Sequence, residues 1–183
     1  MEFLPRGSVA APSSGSKFTA GTGQVRTGFF PMAVGSSWSR DKGQQIERIL
    51  SVETVNGVTV YKFEREVFGA RARVATYTIE VTRRDGVTFY ERRDSAASRA
   101  VLVLVEPLNA GATWQIDSNY DCVVTSVDAE YTAANGQTYK DCVKVGTRSR
   151  MTGRMLDGSE QVYAPGVGMV SGNFDSYTPG PQR

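Results

Sequence analysis

An alternating run of Tyr61, Phe63, Arg65 and Val67 carries the side chain with the most chemical promise in this sequence. Residues two apart on a strand share a face, so Arg65 stands among aromatic neighbours. A guanidinium there needs a carboxylate, an aromatic face or an anionic ligand, because an unpaired charge is costly away from water. The plainer alternative is a rim position, with the stem packed on Phe63 and the head in solvent. A tight turn near Gly69 brings Tyr77 beside Phe63, so Arg65, Tyr61, Phe63 and Tyr77 form the candidate ligand-binding set.

Other chemistry is narrowly bounded. The 183 residues contain no histidine. Ser-His-Asp and Cys-His catalysis, histidine metal sites and histidine pH switching are thereby excluded. The two cysteines, Cys122 and Cys142, lack a histidine or third thiol, so no metal site, cofactor or activated nucleophile is expected. If Asn135-Gly136 centres a hairpin, Cys142 faces about Ala129 and Cys122 faces about Ser149. That offset of about seven residues is roughly 23 Å at strand rise, against a limit of about 7 Å between Cα atoms for a disulfide. Two unbridged thiols are therefore expected. Carboxylates are scattered, mostly opposite the apolar faces. A hydrolase with paired carboxylates at the open end of a barrel is the catalytic alternative; the leading expectation is no enzyme. With 21 basic and 19 acidic residues the net charge is +2, which gives no footprint for nucleic acid. The locally basic stretch from Arg71 to Arg99 also holds Glu80, Asp85, Glu91 and Asp94.

The elements that must position these side chains are strands. Val, Thr, Tyr, Ile and Phe recur in short runs punctuated by Gly and Asn, and the one short helical candidate is 94–100. Residues 46–55 and 58–68 flank Asn56-Gly57, a pair suited to a type I′ turn. In 73–82, Ala75, Tyr77, Ile79 and Val81 share a face. A three-residue loop pairs Phe63 with Tyr77 and Tyr61 with Ile79, whereas a two-residue loop slips the apolar faces apart; the buried face selects the longer loop. Asp85-Gly86 leads into 87–93. Residues 100–105, apolar on both faces, are expected to form a central strand. Further strands follow at 120–131, 138–148, 161–163 and 167–170, ten to twelve in all, with no apolar run near the roughly 20 residues of a membrane-spanning helix.

The second half echoes the first. Pro31-Met32-Ala33-Val34-Gly35-Ser36-Ser37-Trp38 is matched by Pro107-Leu108-Asn109-Ala110-Gly111-Ala112-Thr113-Trp114. Each copy is followed by a β-rich run, an Asn-Gly turn and a Tyr-Lys pair. Proline holds the chain extended, glycine permits positive φ, and Trp38 and Trp114 bring large apolar area to the core. The chain closes with Tyr163-Ala164-Pro165-Gly166-Val167-Gly168-Met169-Val170. Pro31, Gly35, Trp38, Pro107, Gly111, Trp114, Pro165, Gly166 and Gly168 are thus read as structural.

These motifs, with Phe29-Phe30 ahead of Pro31 and Asp141-Cys142-Val143-Lys144-Val145 before the close, resemble those of bacterial cell-envelope lipoproteins of unknown function. Members of that group open on aromatic-Phe-Pro-Leu-x-x-Gly-x-x-Trp and close on Tyr-x-Pro-Gly-Val-Gly. The likeness runs from about Phe29 to Val170. It implies an exported, antiparallel β domain shaped as a half-barrel, brings no catalytic residues, and implies an extracytoplasmic address in the periplasm, on the cell surface or outside the cell.

The expected organisation is a flexible lead-in over 1–28, whose first eight residues resemble a cloning scar. A single all-β domain over 29–177 follows, with pseudo-repeats at about 29–106 and 107–177, and then a flexible tail over 178–183. The fold expected is a strongly curved antiparallel sheet or open half-barrel. The expected role is a non-catalytic module that binds a small molecule, a lipid or an envelope protein, or is structural.

Overall fold

The computed structural model describes residues 18–69, 71–94 and 100–181, with side chains for all of these except 23–26. The described residues form antiparallel strands and contain no helix. In chain order the strands are β1 (Phe18–Thr19), β2 (Thr22–Arg26), β3 (Ser37–Arg40), β4 (Gln45–Val55), β5 (Val58–Val67), β6 (Arg73–Arg84), β7 (Val87–Asp94) and β8 (Val101–Glu106). There follow β9 (Leu108–Ala110), β10 (Thr113–Gln115), β11 (Tyr120–Thr132), β12 (Thr138–Ser149), β13 (Gln161–Ala164), β14 (Gly168–Met169) and β15 (Phe174–Thr178). Seven of them, in the order β15-β3-β4-β5-β6-β7-β8, make a strongly curled half-barrel. Six more, β1-β10-β11-β12-β13-β14, make the facing sheet, and β2 pairs with β9.

Turn chemistry sets the register. Asn56-Gly57 and Asp85-Gly86 both place two successive residues at positive φ, as a type I′ turn demands. Phe63 pairs with Tyr77 and Tyr61 with Ile79, so the face-matching argument for the longer β5–β6 loop holds. The Asn135-Gly136 turn is one residue longer than the Asn-Gly pair implies. Gly136 N–H donates to Ala133 O and Ala133 N–H to Gln137 O, both at 2.9 Å. Cys142 faces Ala129 as expected, but three bulges in β11–β12 bring Cys122 opposite Thr147 instead of Ser149. Both thiols are free and buried.

The echo in sequence is an echo in geometry. Gly35 has φ 88° and Gly111 has φ 80°, a region that glycine enters without steric cost. Gly35 N–H donates to Ile49 O at 2.9 Å, and Gly111 N–H to Val124 O at 2.9 Å. Ser36 N–H donates to Ala33 O, and Ala112 N–H to Asn109 O, both at 3.0 Å. The return bonds, Ile49 N–H to Ser36 O at 3.0 Å and Val124 N–H to Ala112 O at 2.9 Å, complete the match. Each turn then feeds a short strand with its tryptophan inward. One shared core results, in which Trp114, Phe29, Phe174, Leu104 and Leu108 are among the largest fully buried side chains.

Three expectations need correction. The strand at 100–105 is not central: β8 is the last strand of the half-barrel. A bulge between Tyr90 and Glu91 on its partner displaces the register there, and Leu102, Leu104 and Val105 are buried although β8 has a neighbour in the half-barrel on one side only. The stretch 18–28 is not a featureless lead-in. β1 pairs with β10, β2 pairs with β9, and Phe18 meets Phe89 edge-on at 6.3 Å. The tail from 178 is docked as far as it is described, since Gly180 N–H donates to the buried Ser36 Oγ at 3.0 Å. The proposed scar at 1–8 and most of the helical candidate at 94–100 lie outside the described residues.

The chain ends cross. β15, the last strand, pairs with β3 of the first half, and β1, the first strand, pairs with β10 of the second. Trp114, the largest of the fully buried side chains, stands where the second turn and this crossing meet. Trp114→Ala is expected to lower stability by about 3–5 kcal/mol, measured by urea denaturation with an unchanged m-value.

Candidate functional site

The two sheets do not close completely on one another. Between them lies a cavity of about 300 Å³, at the lower end of the range for small-molecule sites. Its half-barrel wall is built from alternating positions that the period of two turns inward: Trp38 and Arg40 on β3, Glu47 on β4, Phe63 and Arg65 on β5, Tyr77 and Ile79 on β6, and Arg92 on β7. The facing sheet contributes Cys122, Val145, Thr147, Gln161 and Tyr163, with Ile116 beside them.

The aromatic floor is a continuous stack. Trp38 and Phe63 stack at 6.2 Å, Phe63 and Tyr77 at 4.9 Å with their planes 13° apart, and the Arg92 guanidinium lies 3.9 Å above the Tyr77 ring. Rings in offset contact contribute about 0.5–1.5 kcal/mol beyond burial. Phe63, Tyr77, Ile79 and Tyr163 are buried, whereas Arg65, Arg92 and Val101 are partly open to solvent. The arginines of β5 and β7 therefore mark the mouth.

Three guanidinium groups and one carboxylate line the cavity among the described residues. Glu47 accepts from Arg65 Nε at 2.6 Å and from Arg65 Nη2 at 2.5 Å, and Tyr77 OH donates to the same oxygen at 3.2 Å. Burial acts to lower the Arg65 pKa, but the Glu47 carboxylate outweighs it and the net shift is upward. Tyr77 is pushed well above its ordinary value by burial and by Glu47. Arg40 has neutral partners: its Nη1 donates to Ser171 O at 3.0 Å and its Nη2 to Met169 O at 2.7 Å. Burial pulls its pKa down, against the attraction of Glu47. Arg92 is held by Asp94 at 2.7 Å, a carboxylate in solvent. The cavity thus has an apolar, aromatic interior and a cationic margin. Cys122 lines it, its thiol pushed up to about 12 by burial and by Asp121.

Of the residues singled out from sequence, Phe63, Arg65 and Tyr77 line the cavity. Tyr61 does not; it is two residues further along β5, packed against the core. Arg65 is neither at a free rim nor stacked on Phe63: its partners are Glu47 and the Tyr77 ring at 5.6 Å. Arg40 and Arg92 were not foreseen. Arg40 could have been, because it shares the parity of Trp38; Arg92 sits in Glu91-Arg92-Arg93, which reads as a solvated strand.

The motif residues fasten this site. Trp38 Nε1 donates to Val167 O at 2.6 Å, tying the first tryptophan to the hairpin of Pro165, Gly166 and Gly168. Gly166 N–H donates to Gly28 O at 2.8 Å. Gly168, at φ 96°, leaves room for the indole: a Cβ there would stand 3.2 Å from Trp38 Nε1. Pro107 follows Glu106, a buried carboxylate that accepts from Phe29 N–H at 2.7 Å and from Tyr90 OH at 3.1 Å. Pro31 itself lies in the cavity wall.

Two carboxylates, Glu80 and Glu91, face each other across β6 and β7 on the side of the sheet away from the cavity, both buried. Arg93 Nε donates to Glu80 at 3.2 Å. The Glu91 carboxyl is raised by burial and by Glu80, against the pull of Arg84 and Arg93. A raised acid pKa favours the protonated form in the fold, so this group's contribution is fully present below the ordinary carboxylate range of about 4 and is lost as pH rises through the folded value. Glu91→Gln is therefore expected to raise the melting temperature at pH 7 and to make little difference near pH 4, measured by thermal melts across that range. Because both thiols are free, a reductant is expected to leave the melting temperature of the unsubstituted protein unchanged.

No family model and no curated protein matches this chain. Two solved structures align with it. One is an inferred lipoprotein from Parabacteroides distasonis, 17% identical, covering 85% of this chain and 98% of that one with a TM-score of 0.37. The other is an inferred exported protein with a YmcC-like fold from Bacteroides fragilis, 11% identical, covering 81% of this chain and 95% of that one with a TM-score of 0.38.

Proposed function

We propose that this chain is a non-catalytic binding module of the cell envelope or the extracellular space, which takes a small amphiphile with an anionic head into the cavity between its sheets. The observation that carries this reading is the pairing of an aromatic, apolar interior with three arginines against a single glutamate. Apolar surface supplies affinity without direction. The guanidinium groups give the ligand its orientation, since each presents several fixed donors to a carboxylate or phosphate. Arg92 is the one best placed to receive an incoming head group, because its present carboxylate partner, Asp94, is exposed and exchangeable with solvent. Glu47, bound to both Arg65 and Tyr77, positions them and is not free for acid–base work. The absence of a facing second carboxylate among the described lining residues is the reason to prefer binding over glycoside-type hydrolysis. The extracytoplasmic address rests on the Pro-Gly-Trp and Pro-Gly-Val-Gly motifs and their resemblance to envelope lipoproteins; recovery of the native protein from the cytosol on cell fractionation counts against it.

The binding test uses anilinonaphthalene sulfonate as a fluorescent anionic amphiphile, displaced by dodecanoate or dodecanol. Dodecanoate is expected to displace the dye saturably and to change Trp38 emission, with dodecanol much weaker. Arg92→Ala is expected to weaken dodecanoate by about tenfold or more, as loss of a charge-assisted hydrogen bond of ~1.5–3 kcal/mol implies. Equal affinity for dodecanol, or no displacement at all, overturns the reading.

A further inference from the structure

The crossing of the chain ends is chemically specific. On the first edge, Tyr177 pairs with Trp38 and Thr178 with Ser37, and Gly180 then lies across the Gly35 turn. On the second edge, Phe18 pairs with Trp114 and Thr19 with Thr113, and Gly21 lies across the Gly111 turn. The two docked segments are Tyr177-Thr178-Pro179-Gly180 and Phe18-Thr19-Ala20-Gly21. They share one signature, aromatic-Thr-x-Gly, at one spacing against one frame.

Each position of the signature has a physical reason. The aromatic stands opposite a tryptophan, and the Trp38 and Tyr177 rings are 5.4 Å apart. The glycine is obligatory: a Cβ on Gly180 would stand 2.2 Å from Val34 O, and one on Gly21 would stand 2.0 Å from Ala110 O. Both obstacles are backbone and cannot swing away. The glycine amide is then held by a side chain of the turn, Gly180 N–H by Ser36 Oγ at 3.0 Å and Gly21 N–H by Asn109 Oδ1 at 3.1 Å. Ser36 and Asn109 are not at equivalent positions of the repeat, so the same latch is achieved twice by different residues.

One segment comes from the amino-terminal side of the domain and the other from the carboxyl-terminal side. The connections that deliver them have nothing in common, yet the docking is the same. Recognition therefore resides in the segment and the edge and not in the tether. We propose that the edges at 36–40 and 112–115 are twin strand-acceptor sites whose ligand is an extended aromatic-Thr-x-Gly peptide, and that each accepts this segment from either end of the chain and from a separate molecule. The mode is strand addition at a sheet edge, with main-chain bonds giving affinity and the aromatic and glycine positions giving selectivity. In the intact chain the tether supplies an effective concentration of about millimolar, so each edge is filled by its own segment. This inference does not depend on what the cavity binds.

The experiment loosens one tethered segment in the full chain and offers it in trans. Gly180→Val introduces the backbone collision without removing any strand, and Tyr177→Ala loosens the same segment by removing its ring from Trp38; either variant that keeps the far-ultraviolet signature of the fold serves. The probes are a fluorescent peptide of residues 174–181 and an unlabelled peptide of residues 18–25. One saturable site is expected on the variant, at least tenfold tighter than on the unsubstituted chain, with the 18–25 peptide competing for it. Peptides with the glycine changed to valine or the aromatic to alanine are expected not to compete. Absence of binding by a folded variant overturns the proposal, and so does binding of 174–181 that the 18–25 peptide fails to displace.

Discussion

A glycine at positive φ three residues ahead of each tryptophan governs the placement of nearly everything else in this molecule. At Gly35 and Gly111 the chain reverses tightly enough to bond the strand beyond, at Ile49 and at Val124, and the next inward position is then the indole. A side chain with a Cβ enters this backbone region only under strain. From the first of these turns Trp38 reaches across to the Val167 carbonyl and so joins the half-barrel to the closing hairpin of the facing sheet. The opening Pro-to-Trp motif and the closing Pro-Gly-Val-Gly motif are therefore two ends of one contact.

The interior that this contact spans is filled unevenly. Around Trp114, Leu104, Leu108 and Val143 it is a packed core. Towards the ends of β5, β7 and β12 the side chains that point inward become polar or charged, and the sheets stand apart. Glu47 reconciles that arrangement with the cost of burying charge: one carboxylate oxygen serves Arg65 and the Tyr77 hydroxyl together, while Arg40 is satisfied by the carbonyls of Met169 in β14 and of Ser171 just after it. The stack of Trp38, Phe63, Tyr77 and Arg92 continues across the half-barrel from its packed part to its open part. Its last member is a cation, which marks where the apolar interior ends.

Much of the fold was legible because local signals agreed. The strand limits of β4 to β7 follow from Asn56-Gly57, Asp85-Gly86 and alternation, and the β5–β6 register follows from matching Phe63 with Tyr77. What failed was information that a period of two does not contain. Apolar residues on both faces of 100–105 identify burial of the faces, but whether a strand has one neighbour or two leaves no mark in sequence. The bulges in β11–β12 leave no compositional mark, which is why Cys122 was placed two residues off. Residues 18–28 look like linker because Gly, Thr and Ala dominate them; the two pairs that order β1 depend on a groove some ninety residues away. In the site, Phe63, Arg65 and Tyr77 were found by parity. Arg40 carries the same signal through Trp38, whereas Tyr61 shows the limit of parity, which says which face a side chain takes but not how far along the strand the cavity extends.

Chain order gives the crossed termini a temporal meaning. Six strands of the half-barrel lie between residues 37 and 106, yet its seventh, the outer strand β15, is made after every other described strand. Ser36 and Trp38 must wait for Tyr177 and Gly180 before their edge is covered. Until translation, and any translocation, has delivered Tyr177 to Gly180, the nascent protein presents an uncovered sheet border, the kind of surface that invites unwanted pairing.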